Sequence, residues 1–189
     1  MLIDLTLSVD PSLYEKGTQR MVSYGHVGTH FDVMDKEFPL AFTEREAVVF
    51  NVSHVTERDI SEKDVDLSLV KEGSFVAFYS GFIDKVAYGT KRYFKEHPRL
   101  SYDLINSLLA KKVSIIGVDF AGLRRESEHH PADVLCAKQG VFVVENLCNL
   151  NQILNNRKAA EFTACTFPVK FKGLSGLPCR VVAKTKIPG

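Results

Sequence analysis

The chain has 189 residues, 45% hydrophobic and 25% charged, with 24 basic and 23 acidic side chains. That length and balance describe one ordinary globular domain with a substantial core. A net charge of +1 argues against phosphate-driven binding of nucleic acid. No apolar run approaches the roughly 20 residues that span a bilayer, so neither nucleic acid nor membrane is an expected partner.

Residues 2–9 alternate around Ile3, Leu5 and Leu7 and read as a first strand. The opening stretch has an early Asp4 and no basic run, so it does not read as a secretory signal. A polar segment over 10–20 is either a loop over a site or a plain connection. It leads to Gly25-His26-Val27-Gly28-Thr29-His30-Phe31-Asp32-Val33. A strand is predicted over 47–52 and a short helix over 64–70 behind Ser61. His54, in a polar connection between them, reads as a surface histidine. The continuous apolar run over 74–79 has the length of a strand buried on both faces, and Ser80-Gly81-Phe82 follows it at once.

His97 precedes Pro98 and reads as a structural turn residue. Ser101 is a predicted N-cap for an amphipathic helix over 102–111, with Leu104, Ile105, Leu108 and Leu109 on one face. A second buried strand over 113–120 carries Asp119 at its end. A helix between two such strands is a crossover unit, so part of the sheet is predicted to be parallel. His129 and His130 read as a loop pair before a helix that starts at Pro131. An apolar strand over 141–144 runs into Glu145. A helix over 151–164, an edge strand over 167–171 and a last strand over 180–184 complete the chain. Cys136, Cys148, Cys165 and Cys179 form no Cys-x-x-Cys pair and are expected as free thiols in a cytoplasmic protein.

The stretch around His26 carries the chemistry. In extended chain, side chains alternate faces. His26, His30 and Asp32 then share one face, with Gly28 leaving room between the histidines for an ion or a substrate. A helical reading also pairs His26 with His30, but Val27, Gly28, Thr29 and Val33 are poor helix residues. Two imidazoles and a carboxylate suit zinc, manganese or iron(II). A pair of polar loop histidines without metal is the plainer reading of the same spacing.

His-x-Gly-Thr-His-x-Asp resembles the signature of the metal-dependent cyclase/hydrolase family that includes bacterial kynurenine formamidase. Further likeness runs through Asp4-Leu5-Thr6, Tyr93-Phe94, Leu100-Ser101, Gly117-Val118-Asp119, Gly140 to Leu150 and the final strand. The resemblance implies a single α/β domain over residues 1–189, cyclase-like, of the swivelling β/β/α type, with a mixed β-sheet flanked by helices. It implies metal binding by His26, His30 and Asp32 and a hydroxyl-glycine-aromatic contact to substrate at Ser80, Gly81 and Phe82. It also implies a homodimer or homotetramer.

Four positions depart from the family pattern, the first being Leu7, where the family often has a histidine. Met34 and Lys36 stand where the family has a proline and a catalytic histidine. Glu145 matches a glutamate that binds a second metal, but twelve residues earlier the chain has Asp133 instead of a histidine. Three readings stand open: Asp133 supplies an oxygen ligand, His129 or His130 reaches the site from the preceding loop, or the second position is absent. The first keeps the register to Glu145 without a gap.

The function that follows is metal-dependent hydrolysis of a carbon–nitrogen bond in a small amide or cyclic amide. The metal, zinc or manganese at one or two per chain, would lower the pKa of a bound water and polarise the carbonyl. Metal ligands are expected at His26, His30, Asp32, Asp133 and Glu145. Proton transfer falls to Glu145, Lys36 or His130, with Asp35 and His129 as further candidates. The alternative is a member of the fold that binds a small molecule without turnover.

Overall fold

The computed structural model describes residues 1–10 and 22–185. The polar segment over 10–20 therefore lies, apart from its first residue, outside the described residues. Among those described, eight strands form one sheet: β1 (Leu2–Asp4), β2 (His30–Asp32), β3 (Glu44–Asn51), β4 (Phe75–Tyr79), β5 (Ile115–Val118), β6 (Phe142–Glu145), β7 (Ala159–Pro168) and β8 (Gly176–Lys184). Their order is β1-β8-β2-β6-β5-β4-β3-β7, and β7 also pairs with β8. That last pairing curls the sheet into a barrel and leaves β1 as an extension beside β8. The strands β3 to β6 are parallel, whereas β2, β7 and β8 join antiparallel.

Alternation along the strands divides the core in two. Phe31, Val49, Phe75, Ile115, Val144 and Phe162 point into the barrel. Phe50, Val76, Phe78, Ile116, Val118 and Val143 point outward and are covered with Leu104, Ile105 and Leu108. Those three leucine-type residues belong to a helix over Tyr102–Ala110. Each fully buried side chain of this size stabilises the fold by roughly 1.5–3 kcal/mol. The sidedness also fixes register. A one-residue slip of β2 would place His30 and Asp32 among barrel hydrophobics and expel Phe31.

Among the described residues the sheet is flanked by the helices α1 (Lys91–Glu96), α2 (Tyr102–Ala110), α3 (His129–Lys138) and α4 (Leu150–Leu154). The predicted cap is present, with Ser101 accepting from Leu104 N. The predicted crossover is present too, since α2 links the parallel strands β4 and β5. His97 is buried, stacks on Phe120 at 5.6 Å between ring centroids, and donates from Nδ1 to Pro98 O at 2.7 Å. No helix among the described residues is long and apolar enough to cross a membrane.

Three predicted elements differ. The segment 64–70 forms two 3-10 turns, Glu62–Asp64 and Leu67–Leu69, instead of a helix. The predicted helix over 151–164 ends at Leu154, because Asn155 and Asn156 take positive φ and turn the chain into β7. The edge strand over 167–171 is only the end of β7.

Candidate metal centre

The site lies on the outer face of β2 and β6, against α3. His30 and Asp32 project outward because Phe31 between them projects into the barrel. His30 pairs in register with Glu145, and directly opposed residues on one face of a sheet are near neighbours. Helix α3 then lays Asp133 over them. His129, one turn earlier at i−4, shares that face.

His26 arrives differently from the expectation. Strand pairing begins only at His30, and Gly28, at φ +58°, turns the chain back so that His26 meets its partners. A Cβ at Gly28 would sit 2.6 Å from Val9 Cγ2. The glycine therefore serves the turn and close packing, not a space for an ion. His26 Nδ1 lies 2.9 Å from Asp32 Oδ1 and 3.2 Å from His30 Nε2, and His30 Nε2 lies 3.7 Å from Asp32 Oδ1. Donors about 2.0–2.1 Å from a tetrahedral ion stand about 3.4 Å apart, so these three separations bracket what one cation requires.

The hydrogen bonds around this turn orient the rings. His30 Nδ1 donates to Gly28 O at 2.9 Å, which leaves the Nε2 lone pair facing the cluster. Asn146 Nδ2 donates to the same carbonyl at 2.8 Å, and Tyr93 Oη donates to Asn146 Oδ1 at 2.8 Å. Thr29 Oγ1 donates to Asn146 O and accepts from Leu7 N. His26 Nε2 lies 2.9 Å from Ser175 Oγ. Tyr93 and Asn146 both lie in stretches that carry the family likeness, but no role at the site was expected of either. Only the position of Asn146 directly after Glu145 could have marked it.

The buried charges are unbalanced. Asp32 and Asp133 are each 2% exposed and Glu145 is 4% exposed. Asp32 Oδ2 and Asp133 Oδ1 are buried without a hydrogen-bond partner, and Asp32 Oδ1 and Glu145 Oε1 meet only imidazole nitrogens, at 2.9 and 3.3 Å. An uncompensated buried carboxylate costs several kcal/mol. Burial and the Asp32 charge push the Asp133 carboxyl up to about 6, against the pull of His129. The same two causes hold Glu145 well above the usual carboxylate range. Burial works to raise Asp32 as well, but His26, His30 and His129 outweigh it and bring it down to about 2. Burial pulls His30 below its ordinary value. His129 lies 3.2 Å from Asp133 Oδ2 and 3.3 Å from Glu145 Oε1. Burial works against its charge, yet the two carboxylates push it up to about 12. Three converging carboxylates, two of them with an orphaned oxygen, beside imidazole lone pairs, fit a divalent cation. His26, His30 and Asp32 form one group whose donor atoms lie within 4.8 Å of one another, and Asp32, His129 and Asp133 form another.

A cleft of about 450 Å³ opens beside the cluster, lined by His26, His30, His129, Glu145, Asn146 and Ser175, with Tyr24, Phe94 and Ala121 as an apolar wall. Several predicted site residues lie elsewhere. Lys36 is exposed, pairs with Asp35 at 3.1 Å, and borders a different cleft with Phe38 and Phe171. The chain turns away after Val33, which bonds to Ser175 O, so Lys36 does not face the cluster. His130 is exposed. Helix α3 begins at His129 instead of Pro131, and its geometry turns His129 inward and its neighbour outward. Ser80, Gly81 and Phe82 do not line the cleft. Ser80 N, Ser80 Oγ and Gly81 N donate to the Asp119 carboxylate at 2.6–3.0 Å, and Phe82 packs on Tyr93. They brace the ends of β4 and β5.

The Cyclase family model matches residues 3–123, more than half of the chain. No curated protein matches. Among solved structures, one described as a potential metal-dependent hydrolase with cyclase activity is similar at 21% identity and a TM-score of 0.77, covering 100% of this chain and 99% of that one. Isatin hydrolase A from Labrenzia aggregata is 17% identical with a TM-score of 0.76, covering 97% of this chain and 93% of that one. Isatin hydrolase A from Ralstonia solanacearum is 16% identical with a TM-score of 0.73, covering 97% and 91%.

Proposed function

This chain belongs to the cyclase family, and from that membership and the geometry of the cluster we propose that it is a metal-dependent hydrolase of a carbon–nitrogen bond in a small amide or cyclic amide. The observation that carries the reading is the convergence of His26 Nδ1, His30 Nε2 and Asp32 Oδ1 within 2.9–3.7 Å on one wall of a cleft, beside buried carboxylate oxygens that lack partners. A divalent ion such as zinc or manganese, held by His26, His30 and Asp32 with Asp133 and Glu145 adjoining, would supply Lewis acidity to water and to the amide carbonyl.

The remaining work falls to the protein. Tyr24, Phe94 and Ala121 offer an apolar wall against which a flat, weakly polar substrate lies with its carbonyl toward the histidines. Solved neighbours named isatin hydrolases support a substrate of that kind. Hydrolysis joins a water oxygen to the carbonyl carbon, breaks the carbon–nitrogen bond and moves one proton to the departing nitrogen. Glu145 is the candidate to carry that proton, and its position on the wall of the cleft, buried beside the cluster, supports the role. Lys36 and His130 are not placed to do so.

A panel of aryl formamides, cyclic imides and ureides, assayed after chelation and again after adding zinc or manganese, tests the reading. Chelator-sensitive hydrolysis that metal restores is expected, with Glu145→Gln losing kcat. Saturable binding of a panel member without hydrolysis under any metal would instead favour a non-catalytic binding protein. The displaced Lys36 is the observation on that side.

A further inference from the structure

We propose that the cleft bordered by Lys36 is a second binding site, separate from the metal centre, for a singly charged aryl carboxylate. It lies between the loop that follows β2 and the hairpin that joins β7 to β8, and it encloses about 810 Å³. That volume falls within the roughly 300–1,000 Å³ of small-molecule sites, whereas a flat contact with another protein needs no such hollow. None of its lining residues also lines the cleft beside the metal cluster. Binding there does not depend on a metal.

The floor of the hollow is rigid. Phe38 packs on Phe31 at 4.6 Å and on Phe142 at 5.4 Å between ring centroids, so the barrel core holds it in place. Backbone bonds preform both walls. On one side Phe42 N donates to Pro39 O and Thr43 N to Leu40 O; on the other Val169 N donates to Pro178 O and Phe171 N to Val169 O. Walls held in this way lose little freedom when a ligand enters. The rim is apolar and wet. Leu40 is 84% exposed, Phe167 58% and Phe171 49%, and with Val169 they make four of the seven large hydrophobic side chains exposed among the described residues. Apolar side chains gathered round one hollow mark a binding surface. Three of the lining residues, Phe38, Phe167 and Phe171, are aromatic, which favours a ring over an alkyl chain.

Charge sets the class of the ligand. The lining carries three lysines, Lys36, Lys170 and Lys172, against two acids, Asp35 and Glu37. Lys36 lies 3.1 Å from Asp35, and Lys170 lies 3.8 Å from Glu37. Among the described residues Lys172 has no ion-pair partner. One carboxylate matches that surplus. A neutral ligand leaves Lys172 unmatched, and a doubly charged phosphate ester meets Asp35 and Glu37 as like charges.

The test is calorimetric titration of the full chain with naphthoate, naphthylmethanol and naphthyl phosphate, with backbone amide shifts followed by NMR. Naphthoate should bind saturably, shift the amides of residues 33–43 and 167–174, and bind about 5-fold more tightly than either analogue, the upper end of what one exposed ion pair supplies. Lys172→Glu should weaken naphthoate by about 5-fold or more and leave the alcohol unchanged. Phe171→Ser should weaken both by about 10-fold, and Leu40→Ser should act in the same direction. These side chains are exposed, and thermal melts check that the variants fold. No saturable binding of naphthoate would overturn the proposal, and so would an affinity for the alcohol that equals or exceeds it; neither result needs a variant. Shifts confined to the cleft beside His26, or unchanged binding in Lys172→Glu and Phe171→Ser, would also overturn it. A dimer seen by light scattering that Phe171→Ser dissociates would do the same, because a second copy then covers the hollow.

Discussion

Asp133→Asn separates a ligand from a structural carboxylate. In the metal-free chain Asp133 is buried beside Asp32 and Glu145, and its carboxyl is raised from 3.8 to about 6. A carboxyl raised in the folded state makes the fold less stable as pH climbs through that window, and the penalty is complete above it. About two pKa units correspond to roughly 3 kcal/mol. The substitution removes that penalty at pH 7.5 but gives up the 3.2 Å pairing with His129. The net gain expected for the metal-free chain is therefore about 1–3 kcal/mol, or a rise of roughly 3–9 °C in melting midpoint for a chain of this size. Near pH 4 the gain should vanish, because the natural carboxyl is then protonated. Adding zinc should reverse the order, stabilising the natural chain more than the variant. Thermal and urea melts at both pH values, with chelator and with metal, read all of this. A metal-free variant destabilised by more than about 1 kcal/mol at pH 7.5 would refute the reasoning, since losses of that size mark a structural partner.

Other consequences can be checked separately. Tyr93→Phe removes the bond that orients Asn146 toward Gly28 O, and zinc affinity measured calorimetrically should fall about 10-fold with little change in melting. Lys36→Ala should leave zinc affinity and turnover unchanged, as measured by titration and assay, because Lys36 borders another cleft. His97 is held neutral by burial, with its pKa lowered to about 3. Its contribution is complete above about 6.5 and is lost as pH falls toward 3, so for His97→Phe the unfolding free energy from urea melts should fall less steeply with acid, by up to about 1.4 kcal/mol per pH unit.

Much of this site was legible because strand alternation is a local rule. His30 and Asp32 share a face once Phe31 is given to the core, and Glu145 ends an apolar strand that must sit beside others. The crossover through α2 followed from two apolar runs flanking a capped amphipathic helix. What escaped depended on turns and helix phase. Gly28 and the positive φ of Asn146 are backbone choices that no periodicity announces. Whether His129 or His130 faces inward turned on where α3 begins, and Pro131 is as compatible with the third helical position as with the first. Lys36 was placed by counting along a motif, but the chain leaves the sheet at Val33. Ser80 and Gly81 sit at a strand end, where sites often lie, yet Asp119 takes up their donors. The short helix of residues 150–154 shows the same limit, because alanines at 159 and 160 serve a strand once two asparagines have turned the chain.

The central claim is that His26, His30 and Asp32 hold a metal ion. The most direct measurement is metal content per chain by elemental mass spectrometry, on natural and His30→Ala protein purified without chelator or a nickel column. One or two bound transition-metal ions in the natural chain, with a clear loss in the variant, is the predicted result. A natural chain that carries none and takes up none on titration, or a His30→Ala chain that remains fully loaded, would contradict it.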